Sequence, residues 1–195
     1  MDHNMEKDPA RDDLLILVDG LDRSMGFATK QEAHVEGLLH RAFSVVLVRD
    51  GTVGPEVLLA RRALGKYHSA GLWANSCCSH PRAGEKLLYA AYRRVHEELG
   101  CDAQGLREVG FFVYRAAFAN GITEHEYDHV LVGRCVGDLV LDADEVESVR
   151  WIGVDDLALE LATHPAHFSV WSPMVLSIAL AELSQGTCRN ESGSA

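Results

Sequence analysis

Residues 85–99 constrain the fold more than any other stretch. Leu88, Ala91, Val95 and Leu99 recur at helical spacing, which aligns them on one face of an α-helix. Gly100 follows as the stop signal. The surroundings read differently. Residues 14–18, 42–48, 57–61, 109–118, 126–135 and 149–152 are short runs with the composition of strands, and Asp19-Gly20 and Asp50-Gly51 supply turns. Two further helices are expected over residues 155–161 and 173–183. Helices set among strands, with no second core-sized segment, predict one α/β domain with helices packed on a mixed β-sheet. A chain of 195 residues, 47% of them hydrophobic, can bury such a core. The domain is expected over residues 13–184, with flexible polar segments at 1–12 and 185–195.

Charge narrows the function classes. Eighteen basic against 29 acidic residues leave a net −11, so sequence-independent nucleic-acid binding is not expected. An anionic ligand would need a local cluster of Lys and Arg. No apolar run reaches the length of a membrane span, and the start lacks the charged-then-apolar order of a signal peptide. Five cysteines, two of them adjacent and none in a CxxC pair, fit a reducing compartment rather than a disulfide framework. The expectation is a cytoplasmic protein with no membrane partner, its oligomeric state open between monomer and homodimer.

The chemistry concentrates in two places. Residues 73–81 read Trp-Ala-Asn-Ser-Cys-Cys-Ser-His-Pro, inside a long loop expected over residues 63–82; loops of that length in compact domains are usually functional. In extended backbone Cys78 and His80 face one side, offering a thiol and an imidazole to one cavity. Cys77 then faces away and packs. Glu124 and Glu126 repeat the spacing, with His125 on the opposite side. Thiol, imidazoles and paired carboxylates are the parts of a metal-assisted proton-transfer enzyme. His96, His129, His164 and His167, with His3 and His125, read as ordinary surface histidines, and the acidic residues 142–147 as a solvated turn without a site.

The helix also carries a family resemblance. Glu85, then Arg93-Arg94-Val95-His96-Glu97-Glu98-Leu99-Gly100-Cys101 after seven residues, resembles a Nudix box with its spacing intact. Two positions depart: Ser79 stands for the first glycine and Arg94 for the glutamate after arginine. The second departure removes a carboxylate that a pyrophosphate hydrolase is expected to use. With Asn75-Ser-Cys-Cys-Ser-His-Pro81, Glu124-His-Glu126, Tyr114-Arg-Ala and Arg61-Arg-Ala-Leu-Gly-Lys66, the chain resembles the type 1 isopentenyl-diphosphate isomerases over roughly residues 14–180.

That resemblance implies a Nudix-like fold, a mixed sheet packed between α-helices, and the interconversion of isopentenyl and dimethylallyl diphosphate, a small prenyl diphosphate substrate, for isoprenoid precursor synthesis. It implies that Cys78 is the base and that Glu126, assisted by Tyr114, delivers the proton. It matches His34, His40, His80, Glu124 and Glu126 to metal ligands; three imidazoles and two carboxylates suit Mn²⁺ or Mg²⁺, with Zn²⁺ the alternative. A second ion, Mg²⁺ on the diphosphate, would be held by Glu98. Lys30, Arg62, Lys66 and Arg94 match a diphosphate clamp, and Trp171, with Trp73 as the alternative, an aromatic that faces the carbocation. A Nudix hydrolase is the competing reading, and a non-catalytic diphosphate-binding domain the third.

Overall fold

The structure is a computed structural model that describes residues 14–191, with side chains to residue 184. The strands are β1 (Leu14–Val18), β2 (Ser24–Thr29), β3 (His40–Asp50), β4 (Pro55–Arg62), β5 (Trp73–Ala74), β6 (Cys77–Ser79), β7 (Asp102–Ala117), β8 (Thr123–Val136) and β9 (Val146–Gly153). The helices are α1 (Lys30–Glu36), α2 (Leu87–Leu99), α3 (Val154–Thr163) and α4 (Ser172–Glu191). One mixed sheet joins all nine strands. At its centre β3 runs parallel to β8 and antiparallel to β4 and β6.

Both faces of this sheet are covered, which is why β3 reads as a continuous apolar run rather than an alternating one. Val45, Leu47, Leu58 and Leu131 pack with Ala91, Val95 and Leu99 of α2. Their neighbours Val46, Val57, Leu59, Val130 and Val132 pack the other way, with Leu157 of α3 and Val175, Leu176 and Ala179 of α4. The result is the helix–sheet–helix sandwich that the strand-and-helix pattern predicts.

The helix over residues 85–99 forms from Leu87, and Gly100 ends it at φ 68°. A Cβ there would lie 2.4 Å from the Val140 carbonyl oxygen, so both conformation and packing demand glycine. Arg93 ties the helix to the loop before it, donating to both oxygens of Glu85 at 2.8 Å.

Three differences stand out. Residues 24–36, left without an element by sequence reading, form β2 and α1. The signal is present as Thr29-x-x-Glu32, a reciprocal capping box in the structure. The loop over residues 63–82 contains β5 and β6, too short to show a period. α4 runs to Glu191, past the boundary expected at residue 184; the single Gly186 costs a helix about 1 kcal/mol and does not end it alone. The segment 1–12 and residues 192–195 lie outside the described residues. No helix among those described is long and apolar enough to cross a membrane.

Candidate active site and metal centre

Strand register assembles the site. In the parallel pair His40 of β3 lies opposite Glu126 of β8, and in the β7–β8 ladder Tyr114 lies opposite the same residue. Glu126 is therefore flanked by an imidazole and a phenol. Tyr114 Oη donates to Glu126 Oε2 at 2.8 Å, and His80 Nε2 lies 2.9 Å from Oε1. On β6, Cys78 lies opposite Ser44, so the serine hydroxyl comes within 3.3 Å of the sulfur.

Cys77 and Cys78 face opposite ways, as extended backbone requires. Cys77 joins the core layer under α2, and Cys78 packs against the layer under α4. Three polar groups surround the Cys78 sulfur. Its thiol donates to Asn75 Oδ1 at 3.0 Å, and Trp171 Nε1 donates to it at 3.2 Å; Ser44 is the third. Trp171 thus lies on the cavity wall, whereas Trp73 packs under Arg150, 4.4 Å from its guanidinium.

His34, on α1, and His40 close the opposite end. The ligand atoms of His34, His40, His80 and Glu124 lie within 4.8 Å of one another. Among them His34 Nε2, His40 Nε2 and Glu124 Oε2 are buried without a hydrogen-bond partner. Orphaned buried polar atoms are costly, and here they converge from different elements. A donor set of imidazoles and carboxylate, unsatisfied by the protein, fits a divalent ion. Turned the other way, His125 Nδ1 lies 3.0 Å from the Gly37 carbonyl oxygen, which confirms its separation from the two glutamates.

The cations form a second cluster in the same cavity, lined by Lys30, Arg62, Lys66 and Arg94. A register shift between Arg61 and Arg62 interrupts the strand alternation at this point. Arg61 pairs with Glu147 at 3.1 Å, while Arg62 lies under Trp171 with its Cζ 5.1 Å from the ring centroid. Arg94 pairs with Glu98, one helical turn on, and with Glu97 at 2.9 Å. Burial and the nearby Lys66 pull the Lys30 ammonium below its ordinary value.

Electrostatics divide the titrating groups. Burial raises the Glu126 carboxyl, but the imidazoles of His40, 3.7 Å away, and His80, at hydrogen-bond distance, outweigh it and hold the group near 2. Burial also pulls His80 down to about 4, so at neutral pH the pair is a carboxylate and a neutral imidazole. Glu124 is likewise held low by His34 and His68 against its burial. Burial and the Glu126 charge push Tyr114 well above the usual phenol range, which keeps its proton on oxygen. Asp128 accepts from Ser44 at 2.8 Å, and burial with the Glu126 charge pushes its carboxyl far up.

Burial, then the Asp128 charge, push Cys78 up to about 12. Alkylation by iodoacetamide, followed by peptide mass spectrometry, should show this directly. At pH 8 Cys78 is expected to react roughly a thousandfold more slowly than an exposed thiol, because only the thiolate attacks. Its rate should keep rising tenfold per pH unit to about pH 10. A plateau near pH 8.5 would mean an ordinary thiol behind a steric barrier.

Sequence reading missed three residues. Glu145, within the stretch read as a solvated turn, pairs with Lys66 at 2.5 Å and Arg94 at 3.4 Å and lines the cavity. His68 reaches Glu124 at 2.9 Å. His129, expected at the surface, is buried between Glu108 at 2.8 Å and Asp22 at 3.1 Å. Nothing local marks any of them; their partners lie far along the chain.

Comparison with known proteins agrees with this geometry. A NUDIX domain model matches residues 38–171. The isopentenyl-diphosphate Delta-isomerase of Photobacterium profundum is 47% identical over 172 residues, 87% of this chain and 96% of that protein. That of Burkholderia multivorans is 48% identical over 157 residues, 80% of this chain and 87% of that protein. Among solved structures, the MutT NUDIX hydrolase from Burkholderia pseudomallei has a TM-score of 0.57 at 23% identity, covering 71% of this chain and 96% of that one. At that identity the likeness carries the fold alone. With relatives nearly half identical over most of both chains, and the box within a matching domain, this chain belongs to the isopentenyl-diphosphate Delta-isomerase family of NUDIX-domain proteins.

Proposed function

We propose that this protein is an isomerase that interconverts isopentenyl and dimethylallyl diphosphate. One observation carries the reading: a caged thiol at Cys78, a proton-bearing Tyr114–Glu126 pair and four cations line a single cavity. The reaction moves a double bond from C3–C4 to C2–C3. A proton adds at C4, a tertiary cation develops at C3, and a proton leaves C2. The step needs an acid, a base and a cavity that keeps water from the cation.

In this reading Lys30, Arg62, Lys66 and Arg94 bind the diphosphate, with charge-assisted hydrogen bonds from the guanidinium groups. Tyr114 Oη and Glu126 Oε2 hold the proton that goes to C4. The electron pair left by C2–H cleavage forms the new double bond as Cys78 takes that proton; only its thiolate, the minor form in the resting cavity, can do so. Trp171 directs its indole N–H at the sulfur and so stabilises its thiolate form, while the Trp171 ring offers its π face to the developing cation. His34, His40, His80, Glu124 and Glu126 would hold a divalent ion, Mn²⁺ or Mg²⁺ with Zn²⁺ the alternative, and Glu98 a Mg²⁺ on the diphosphate. Such ions supply positive charge that keeps the carboxylates ordered and neutralises the phosphates.

Hydrolysis is the competing chemistry for this fold. Arg94 stands against it, a cation where the box has a glutamate, already paired with Glu97 and Glu98. Incubation with isopentenyl diphosphate and Mg²⁺ in deuterated water, followed by proton NMR, tests both. Dimethylallyl diphosphate with deuterium in the methyl group formed from C4 is the expected product, and phosphate release without a new alkene would assign a hydrolase.

A further inference from the structure

Lys66, Tyr67 and His68 are consecutive in the segment between β4 and β5, yet their side chains reach three different parts of the site. Lys66 pairs with Glu145 beside the cation cluster. Tyr67 Oη lies 3.5 Å from His34 Nδ1, and His68 Nε2 lies 2.9 Å from Glu124 Oε1. The His68 and Glu124 side chains are 5% and 4% exposed.

The two oxygens of Glu124 are used differently. Oε1 is taken by His68. Oε2 has no hydrogen-bond partner and lies 3.2 Å from His34 Nε2 and 3.9 Å from His40 Nε2, both also without partners. We propose that His68 is a positioning residue for the metal centre: its Nε2–H holds Glu124 Oε1, so that Oε2 alone is presented to the ligand imidazoles. His68 is outside the group whose ligand atoms converge.

The ring can do this because it cannot turn. It stacks on Phe118 at 4.5 Å between centroids and meets Tyr67 and Trp171 edge-on at 4.7 and 5.6 Å. Its Nδ1 lies 3.2 Å from Ser69 Oγ. The backbone is held as well: Asn120 Nδ2 donates to the Tyr67 carbonyl at 2.9 Å, and Arg62 Nη2 to that of His68 at 3.3 Å. Ser69 has φ 51°, a left-handed conformation that a residue with a Cβ adopts at a cost. A carboxylate fixed by a rigid donor keeps one geometry, which is how outer groups raise a metal site's affinity. The same ring touches Trp171, so the metal carboxylate and the aromatic wall share one support. This inference rests on the metal reading of the cluster, not on which reaction the enzyme catalyses.

The test is calorimetric titration of chelator-stripped protein with Mn²⁺ alone. His68→Phe keeps the stack and loses the donor; it should weaken binding about 10–100-fold. His68→Gln places an N–H where Nε2 stood and should recover binding to within a few-fold, whereas His68→Asn, too short to reach Glu124, should not. Wild-type affinity in His68→Phe would overturn the proposal, and so would equal affinities in the Gln and Asn variants. The two amide variants decide between these outcomes even if the Phe variant fails to fold. Isomerisation by the wild-type protein is assayed separately, so an inactive enzyme with the same Mn²⁺ pattern would refute the reaction and leave the positioning role standing.

Discussion

Cys78→Ala should lower kcat by about 10²–10⁴-fold, the contribution of a positioned proton-transfer group, while diphosphate affinity stays near that of the native protein. In the proposed function that affinity is carried by Lys30, Arg62, Lys66 and Arg94, none of which contacts the sulfur by hydrogen bond. A loss confined to kcat is the signature of an interaction that matters in the transition state. Cys77→Ala is the control. Its thiol fills the opposite core layer, so it should cost about 1 kcal/mol of stability and leave turnover within a few-fold. An electrophilic epoxide analogue of the substrate should label Cys78 and spare Cys77 by mass spectrometry. An active Cys78→Ala beside a folded but dead Cys77→Ala would move the base by one residue and refute the assignment.

Metal removal should be as damaging. With three orphaned atoms at its centre, the His/Glu cluster left without an ion has every reason to rearrange, and Glu126 with it. Thorough chelation is therefore expected to take isomerisation below detection, and Mn²⁺ or Mg²⁺ to restore it. His80→Ala should lower metal content and activity together. Full turnover by protein shown metal-free through elemental analysis would end the metal reading of this cluster.

The sequence revealed those parts of the site whose logic is local. Cys78 and His80, or Glu124 and Glu126, are two apart in extended backbone, and period-two geometry alone sets them side by side. Arg94 and Glu98 are one helical turn apart and do pair. His34, Lys30 and Arg62 came from family likeness rather than spacing, and they too reach the cavity or the His/Glu cluster at its end. What stayed hidden depends on tertiary contact. His68 and Glu145 owe their place to partners dozens of residues away, and no periodicity encodes that. Trp171, left beside Trp73 as a choice from sequence, directs its indole N–H at the Cys78 sulfur, a contact that Trp73, packed under Arg150, does not make. β5 and β6 escaped because two or three residues cannot display a period, and α1 because its capping box precedes only seven helical residues.

The parallel pairing of β3 with β8 has a consequence for how the chain reaches its working state. Parallel neighbours cannot be joined by a tight turn, and here β4 through β7 intervene between them. Closing so long a loop is entropically unfavourable and tends to be slow. Yet Glu124 and Glu126 meet His40 only through that closure. A chain still emerging from the ribosome, with His34, His40 and His80 already made, has no carboxylates to complete the cluster until β8 is synthesised and docked. An ion held by this cluster would therefore be taken up only on completion of the sheet, and a half-folded protein would have little means of capturing it prematurely. Once bound, such an ion would favour the native state by mass action.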